Sequence, residues 1–184
     1  MRVIAGKAKS LPLKTIPGLE TRPTQDRIKE TLFNILMPDI PGCVFVDVFS
    51  GSGGIGIEAL SRGASKAYFI EQSPKAMACI EENLRFTKLK DQAVTLKMDA
   101  LGSLHHIFEK KVDIIFMDPP YGRGLEKEML VQLYGRSFVT DSTIMIVEAD
   151  LYEDFSYVPD LGFTVYREKK YKTNKHVFIR RGES

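Results

Sequence analysis

The sequence predicts an α/β fold, a mostly parallel sheet covered by helices on both faces and closed by an antiparallel hairpin. Three observations predict it. From Pro41 onward, apolar strand-like runs alternate with helical segments, as in a sheet built from strand–helix–strand units. Gly51, Gly53 and Gly56 read G-x-G-x-x-G between an apolar run and a helical segment, a corner on which a nucleotide can rest. The tail FTVYREKKYKTNKHVFIRR reads as two strands around Thr173-Asn174, an antiparallel pair that a mixed sheet tolerates at its edge.

The elements follow in order. Arg2–Ala5 and Pro12–Ile16 read as two short strands around GKAKS. A hairpin of that size does not stand alone, so it is expected to extend the main body. In ETRPTQDRIKETLFNILMP, residues Ile28, Leu32, Phe33, Ile35 and Leu36 share one helical face. Thr24 is the expected cap, Asp26 suits the first turn, and Met37-Pro38 stops the helix. Val44–Val48 is a continuous apolar run, the mark of a strand buried on both sides. Gly53–Ser61 is the next helix and Ala67–Ile70 the second strand. Ser73-Pro74 starts a helix, with serine as cap and proline in the first position. Val94, Leu96 and Met98 alternate as a third strand; Ile114–Met117 is the fourth, Glu126–Leu133 a helix and Ile144–Val147 the fifth strand.

A chain of 184 residues, 43% hydrophobic and 27% charged, suits one soluble domain with a small appendage. No apolar run approaches the ~20 residues of a membrane helix, and MRVIAGKAKS lacks the apolar block of a secretory signal. Two cysteines, Cys43 and Cys79, imply no disulfide framework; a cytoplasmic protein is expected. The net charge of +2 is unevenly spread: residues 1–29 and 166–184 carry +5 each, leaving −8 between them. Two readings stand: solvated basic ends, or ends that grip an anionic polymer.

In an open parallel sheet, ligands sit at the carboxyl ends of the strands. Asp47, Glu71, Asp99 and Asp118 end or follow the first four strands. Such acids can simply cap the following helices; four in succession point to a ligand. Glu71 lies 20 residues after Gly51, where a carboxylate accepts ribose hydroxyls. That fits NAD as well as other nucleosides. Asp47, however, would repel a pyrophosphate, and the loop has no Lys or Arg to neutralise one. A nucleoside with cationic groups at its other end fits better: S-adenosylmethionine, its ribose on Glu71, its adenine amine on Asp99, its ammonium and sulfonium near Asp47.

Asp118-Pro119-Pro120-Tyr121 follows the fourth strand. Alone, D-P-P-Y is an ordinary proline turn. Beside the acidic strand ends it is an acceptor-rich corner next to a flat ring. It suits a planar base stacked on Tyr121, with its amine held by Asp118 and the Pro119 carbonyl. Holding amine and methyl donor together is worth up to ~7–11 kcal/mol in well-oriented systems, and no metal is required.

Together, TRPTQDRIKETLFNIL (Thr21–Leu36), DVFSGSGGIGIEALSRGA (Asp47–Ala64) and DPPY resemble the RsmD-type methyltransferases. The resemblance implies a class I, Rossmann-like, seven-stranded methyltransferase domain over residues 21–184, with an N-terminal β-hairpin extension over 1–20. It implies methyl transfer from S-adenosylmethionine to N2 of a guanine in small-subunit (16S) ribosomal RNA. Asp47, Gly51, Gly53, Glu71 and Asp99 match its cofactor positions, with Phe49, Ser52, Gln72 and Ala100 beside them; Asp118, Pro119, Pro120 and Tyr121 match its catalytic motif. From charge, Lys7, Lys9, Arg22, Arg27, Lys169, Lys170 and Lys172 are the expected RNA contacts. A monomer is expected, acting on rRNA alone or within an assembling 30S particle. The adjacent His105 and His106 have no ligand-spaced partners and read as surface residues. A DNA or RNA adenine-N6 methyltransferase is the alternative, since D-P-P-Y occurs there too; 184 residues leave little room for the separate target-recognition region that the DNA enzymes carry. A nicotinamide dehydrogenase would need a hydride-handling constellation that the sequence does not supply, and a non-catalytic RNA-binding module would have no use for D-P-P-Y.

Overall fold

A computed structural model describes residues 1–17 and 23–183, with the side chains of Pro23 and Thr24 also outside the description. Its centre is a seven-stranded sheet in the order β3-β2-β1-β4-β5-β7-β6. The strands are β1 (Val44–Val48), β2 (Lys66–Ile70), β3 (Ala93–Leu96), β4 (Ile114–Met117), β5 (Ile144–Asp150), β6 (Phe163–Lys170) and β7 (Asn174–Arg181). The first five run parallel; β7 enters antiparallel between β5 and the edge strand β6. The helices are α1 (Pro23–Leu36), α2 (Gly54–Ser61), α3 (Pro74–Phe86), a four-residue α4 (Ala100–Ser103) and α5 (Leu125–Tyr134). Chain order switches direction between β1 and β4, the place where such sheets open a crevice.

Two apolar layers sandwich the sheet. Phe45, Phe69, Phe116, Ile146 and Phe178 face α1, α2 and α3 and meet Leu32, Phe33, Ile57, Leu60 and Ile80. Val46, Ile115, Met145 and Val177 face the other way, against Met129, Leu130 and Leu133 of α5. Strand alternation explains both sets, since successive side chains point to opposite faces. Ser73 caps α3 as expected, its hydroxyl accepting the Ala76 N–H. Pro23 already lies inside α1, so the expected cap Thr24 is within the helix, its side chain outside the described residues.

The N-terminal segment pairs sparsely where two strands are expected: one antiparallel bridge, Arg2 to Pro12, with backbone hydrogen bonds from Val3 N–H to the Leu11 carbonyl, Ser10 N–H to the Val3 carbonyl and Leu13 N–H to the Met1 carbonyl. It is also pinned to α2. The fully buried carboxylate of Glu58 accepts the N–H groups of Ile4 (2.8 Å) and Ala5 (3.1 Å) and meets Lys29 Nζ at 3.4 Å and Arg62 Nε at 3.1 Å. Ser61 Oγ accepts from Ala8 N–H and donates to the Ala5 carbonyl. Backbone groups that a strand would pair with a neighbour are satisfied here by side chains. Val3, Ala8 and Leu13 enter the α1–α3 core.

Candidate active site

Strand register builds the site as two rows across one face. The lower row is Phe69, Asp47, Phe116, Ile146 and Phe178, neighbours from β2 through β1, β4 and β5 to β7. Two residues further toward the carboxyl edge stand Glu71, Phe49, Asp118, Glu148 and, because β7 runs backward, His176. Except on β1, where Asp47 lies in the floor and Phe49 above it, an apolar floor thus gives way in one step to a polar rim. A cavity of about 240 Å³ opens over it, lined among others by Asp47, Gly51, Ser52, Asp118, Glu148 and His176. Phe49 and, from above, Met1 and the Asp26–Lys29 side of α1 also line it.

The glycine loop has a contorted backbone. Phe49, Gly51 and Gly53 have φ of 62°, 58° and 85°, left-handed values that cost a bulky residue such as phenylalanine ~1–3 kcal/mol. A side chain on Gly51 would meet no atom within 4 Å and would stand in the open space of the cavity. Gly53 is different: a Cβ there would press on Ile80 and Phe69 at 3.3–3.4 Å. Packing against Ile80 of α3 and Phe69 of β2, together with its positive φ, accounts for that glycine, whereas Gly51 borders open cavity space. Gly56 is a packing glycine too, since its Cβ would lie 2.5 Å from the Phe69 ring.

Asp47 is 1% exposed, and its Oδ2 accepts the Gly56 N–H at 3.0 Å. Burial pushes its carboxyl up to about 7, with the Glu71 charge adding to the rise and the Gly56 N–H opposing it. A buried acid without a countercharge beside a cavity suits a cationic ligand. Glu71 is committed to the loop. Its two oxygens accept the Gly51 and Ser73 N–H groups, both at 2.9 Å; a carboxylate offers about four lone-pair sites, so further acceptor capacity remains. Burial, then the Glu148 and Asp47 charges, push Asp118 well above the usual carboxylate range. Its side chain is open to the cavity, so water that reaches it moderates the shift.

The expected site residues are brought together in part. Asp47, Phe49, Gly51, Ser52 and Asp118 line one cavity, and Glu71 adjoins it through Gly51. Pro119 is buried, while Pro120 and Tyr121 are exposed; all three follow Asp118 and lie outside the cavity lining. The Tyr121 phenol is pushed up by burial and by Glu148, Asp118 and Asp150 nearby. Gln72, Asp99 and Ala100 lie outside the cavity lining; Asp99 is exposed and caps α4, accepting the Gly102 N–H at 2.9 Å. Among the expected RNA contacts, Arg27 is exposed on α1 beside cavity-lining residues. Lys170 and Lys172 are exposed near the β6–β7 turn, at the carboxyl end of β5, and the half-buried Lys169 sits opposite His176. Lys7 and Lys9 are exposed at the far end of α2, where Lys7 N–H meets the Ser61 carbonyl, away from the cavity. Arg22 lies outside the described residues. His105 and His106 are exposed, His105 against Arg136, and among the described residues no cluster is arranged to hold a metal.

Glu148, His176, Met1 and Lys29 were not read as site residues from sequence. Glu148 lies one residue beyond the expected end of β5, and the strand-tip rule applied there would have found it. His176 depends on hairpin register, which the sequence leaves open.

The sheet order, the glycine loop and a cavity joining Asp47 to Asp118 define a Rossmann-like methyltransferase. Comparisons with known proteins place it more closely. The model of the family described as "Conserved hypothetical protein 95" matches residues 1–180, and the chain belongs to that family. Ribosomal RNA small subunit methyltransferase D of Escherichia coli K12 is 34% identical over 173 residues, 92% of this chain and 84% of that one. YlbH of Bacillus subtilis is 36% identical over 152 residues, 82% of this chain and 83% of that one. The solved structure of yhhF from Escherichia coli superposes with a TM-score of 0.83 at 32% identity, covering 100% of this chain and 99% of that one.

Proposed function

We propose that the chain transfers a methyl group from S-adenosylmethionine to the exocyclic N2 amine of a guanine in small-subunit ribosomal RNA. The observation that carries this reading is the single cavity shared by the glycine loop, Asp47 and Asp118, in a chain related to small-subunit rRNA methyltransferases. The residues fit the cofactor: Gly51 leaves room where a side chain would intrude, Asp47 faces a cationic group, and Glu71 retains acceptor capacity for a ribose. When bound, S-adenosylmethionine supplies an activated methyl on a sulfonium. Asp118 and the Pro119 carbonyl hold the amine, and Tyr121 gives the base a stacking surface at the mouth. Asp99 and Ala100 serve the adenine end and Gln72 the ribose. Arg27, Lys169, Lys170 and Lys172 contact RNA around the mouth, and Lys7, Lys9 and Arg22 contact more distant phosphates, with residues 1–20 as an extension of the catalytic domain. A monomer working in the cytoplasm, on rRNA alone or in an assembling 30S particle, goes with this reading. No helix among the described residues is long and apolar enough to cross a membrane.

Asp118 also suits guanine. Guanine presents N1–H beside its N2 amine, two adjacent donors for one carboxylate, whereas adenine presents an acceptor beside N6. The test is methyl transfer to small-subunit rRNA from a host lacking the modification, with mass mapping of the product, using wild type and Asp118→Asn. Wild type should yield N2-methylguanine at one site. Asp118→Asn should bind cofactor normally and lose much of the guanine reaction; truncation to Ala should cost ~10²–10³-fold, as for one preorganised polar partner. Methylation confined to adenine or to DNA would refute the reading.

A further inference from the structure

Beside Asp118 lies a polar network that the methyl-transfer reading does not use. Glu148 and His176 stand directly opposite one another in the β5–β7 register. His176 is 1% exposed, and its Nε2 lies 3.0 Å from Glu148 Oε2. Its Nδ1 lies 3.0 Å from the Tyr171 hydroxyl. Asn174 Nδ2 donates to the other Glu148 oxygen at 2.9 Å. The Phe116 ring meets the imidazole edge-on, centroids 5.8 Å apart. One proton arrangement satisfies the chain with a neutral imidazole: the Tyr171 O–H donates to Nδ1, and Nε2–H donates to Glu148. Each Glu148 oxygen then receives one donor from behind and keeps acceptor capacity, and its side chain is 20% exposed and lines the cavity beside Asp118. Asp118, by contrast, receives no hydrogen bond on its carboxyl from the described residues, which leaves it free to hold the amine.

We propose that Glu148 accepts the proton that the target amine releases, and that His176, Asn174 and Tyr171 position it. The inference rests on the methyl-transfer reading above. The proton balance requires such an acceptor. As the nitrogen lone pair becomes the new N–C bond, the methyl–sulfur bonding pair leaves with sulfur, and the nitrogen gains positive charge. One N–H bond must then break, its electron pair staying on nitrogen and its proton passing to Glu148. Two carboxylates on adjacent strands repel one another, so a proton delivered there also relieves that repulsion. Division of labour follows: Asp118 orients the amine, and Glu148 takes the proton.

The test combines single-turnover methylation of unmodified small-subunit rRNA, cofactor affinity by calorimetry, and 15N spectra of the His176 ring. Glu148→Gln keeps the shape but cannot take a proton. It should lose roughly 10²-fold in the rate of transfer, the low end for general acid–base catalysis, while KM for RNA and cofactor affinity stay unchanged. His176→Gln, whose amide can still donate to Glu148, should retain more activity than His176→Ala. Tyr171→Phe, which removes only the outermost hydroxyl, should fold normally and lose least. The wild-type ring should carry its proton on Nε2 with or without cofactor. Wild-type rate in Glu148→Gln, or a ring proton on Nδ1, overturns the inference while the function stands. Failure of wild type to methylate the RNA overturns both.

Discussion

Replacing Asp47 with asparagine should make the cofactor-free protein more stable and a poorer binder. Burial and the Glu71 charge carry this carboxyl from 3.8 to about 7. At ~1.36 kcal/mol per unit, the ionised form is disfavoured in the folded state by about 4 kcal/mol, and with the residue 1% exposed little solvent relief applies. The sign follows from proton counting. Below about pH 4 both folded and unfolded chains hold the proton. Between there and about 7, the unfolded chain has lost it and the folded chain keeps it, so stability falls as pH rises; above that window the penalty is complete. The asparagine carbonyl can still accept the Gly56 N–H, so the substitution removes charge and little else. Urea unfolding of both proteins from pH 4 to 8.5 should show a stability difference near zero at the acid end. It should grow to several kcal/mol in favour of Asp47→Asn above neutrality. Cofactor affinity should move the other way, falling by the ~1.5–3 kcal/mol of a lost charged partner. A stability difference that stays flat across this range would refute the buried-charge argument.

Further outcomes follow from the loop and the charged edges. Glu71→Ala removes the acceptor for the Gly51 and Ser73 N–H groups; it should weaken cofactor binding and destabilise the fold by ~1–3 kcal/mol, whereas an unchanged dissociation constant would remove Glu71 from the site. Gly51→Ala, held at a φ of 58°, should lose ~1–2 kcal/mol of stability and bind cofactor poorly, while Gly56→Ala, pressed against Phe69, should lose ~1–3 kcal/mol of stability with a smaller loss of cofactor affinity; equal losses of cofactor affinity for the two would contradict the assigned roles. Neutralising Lys169, Lys170 and Lys172 should flatten the salt dependence of RNA binding more than neutralising Lys7 and Lys9, since only the first group lies by the carboxyl end of β5, with Lys169 opposite His176; identical salt slopes would mean these lysines are merely solvated.

What could be read from sequence was what repeats locally. The parallel core followed from continuous apolar runs, and Val44–Val48 and Ile114–Met117 match their observed strands residue for residue. Asp47 and Asp118 were legible because strand tips and helix starts have local signatures. The N-terminus was legible only in part. Arg2–Ala5 read as a strand, and Val3 does exchange backbone bonds with Leu11 and Ser10, but the donors of Ile4 and Ala5 found a buried carboxylate on α2, and no local pattern announces a partner 53 or 54 residues away. The same reason hid His176: a one-residue slip in the β5–β7 pairing would turn it to the opposite face. Register is set by the whole apolar face, with Ile146 opposite Phe178 and Val147 opposite Val177. The packing that fixes those apolar pairs therefore also fixes Glu148 opposite His176, so the hydrophobic core determines which polar groups meet beside Asp118.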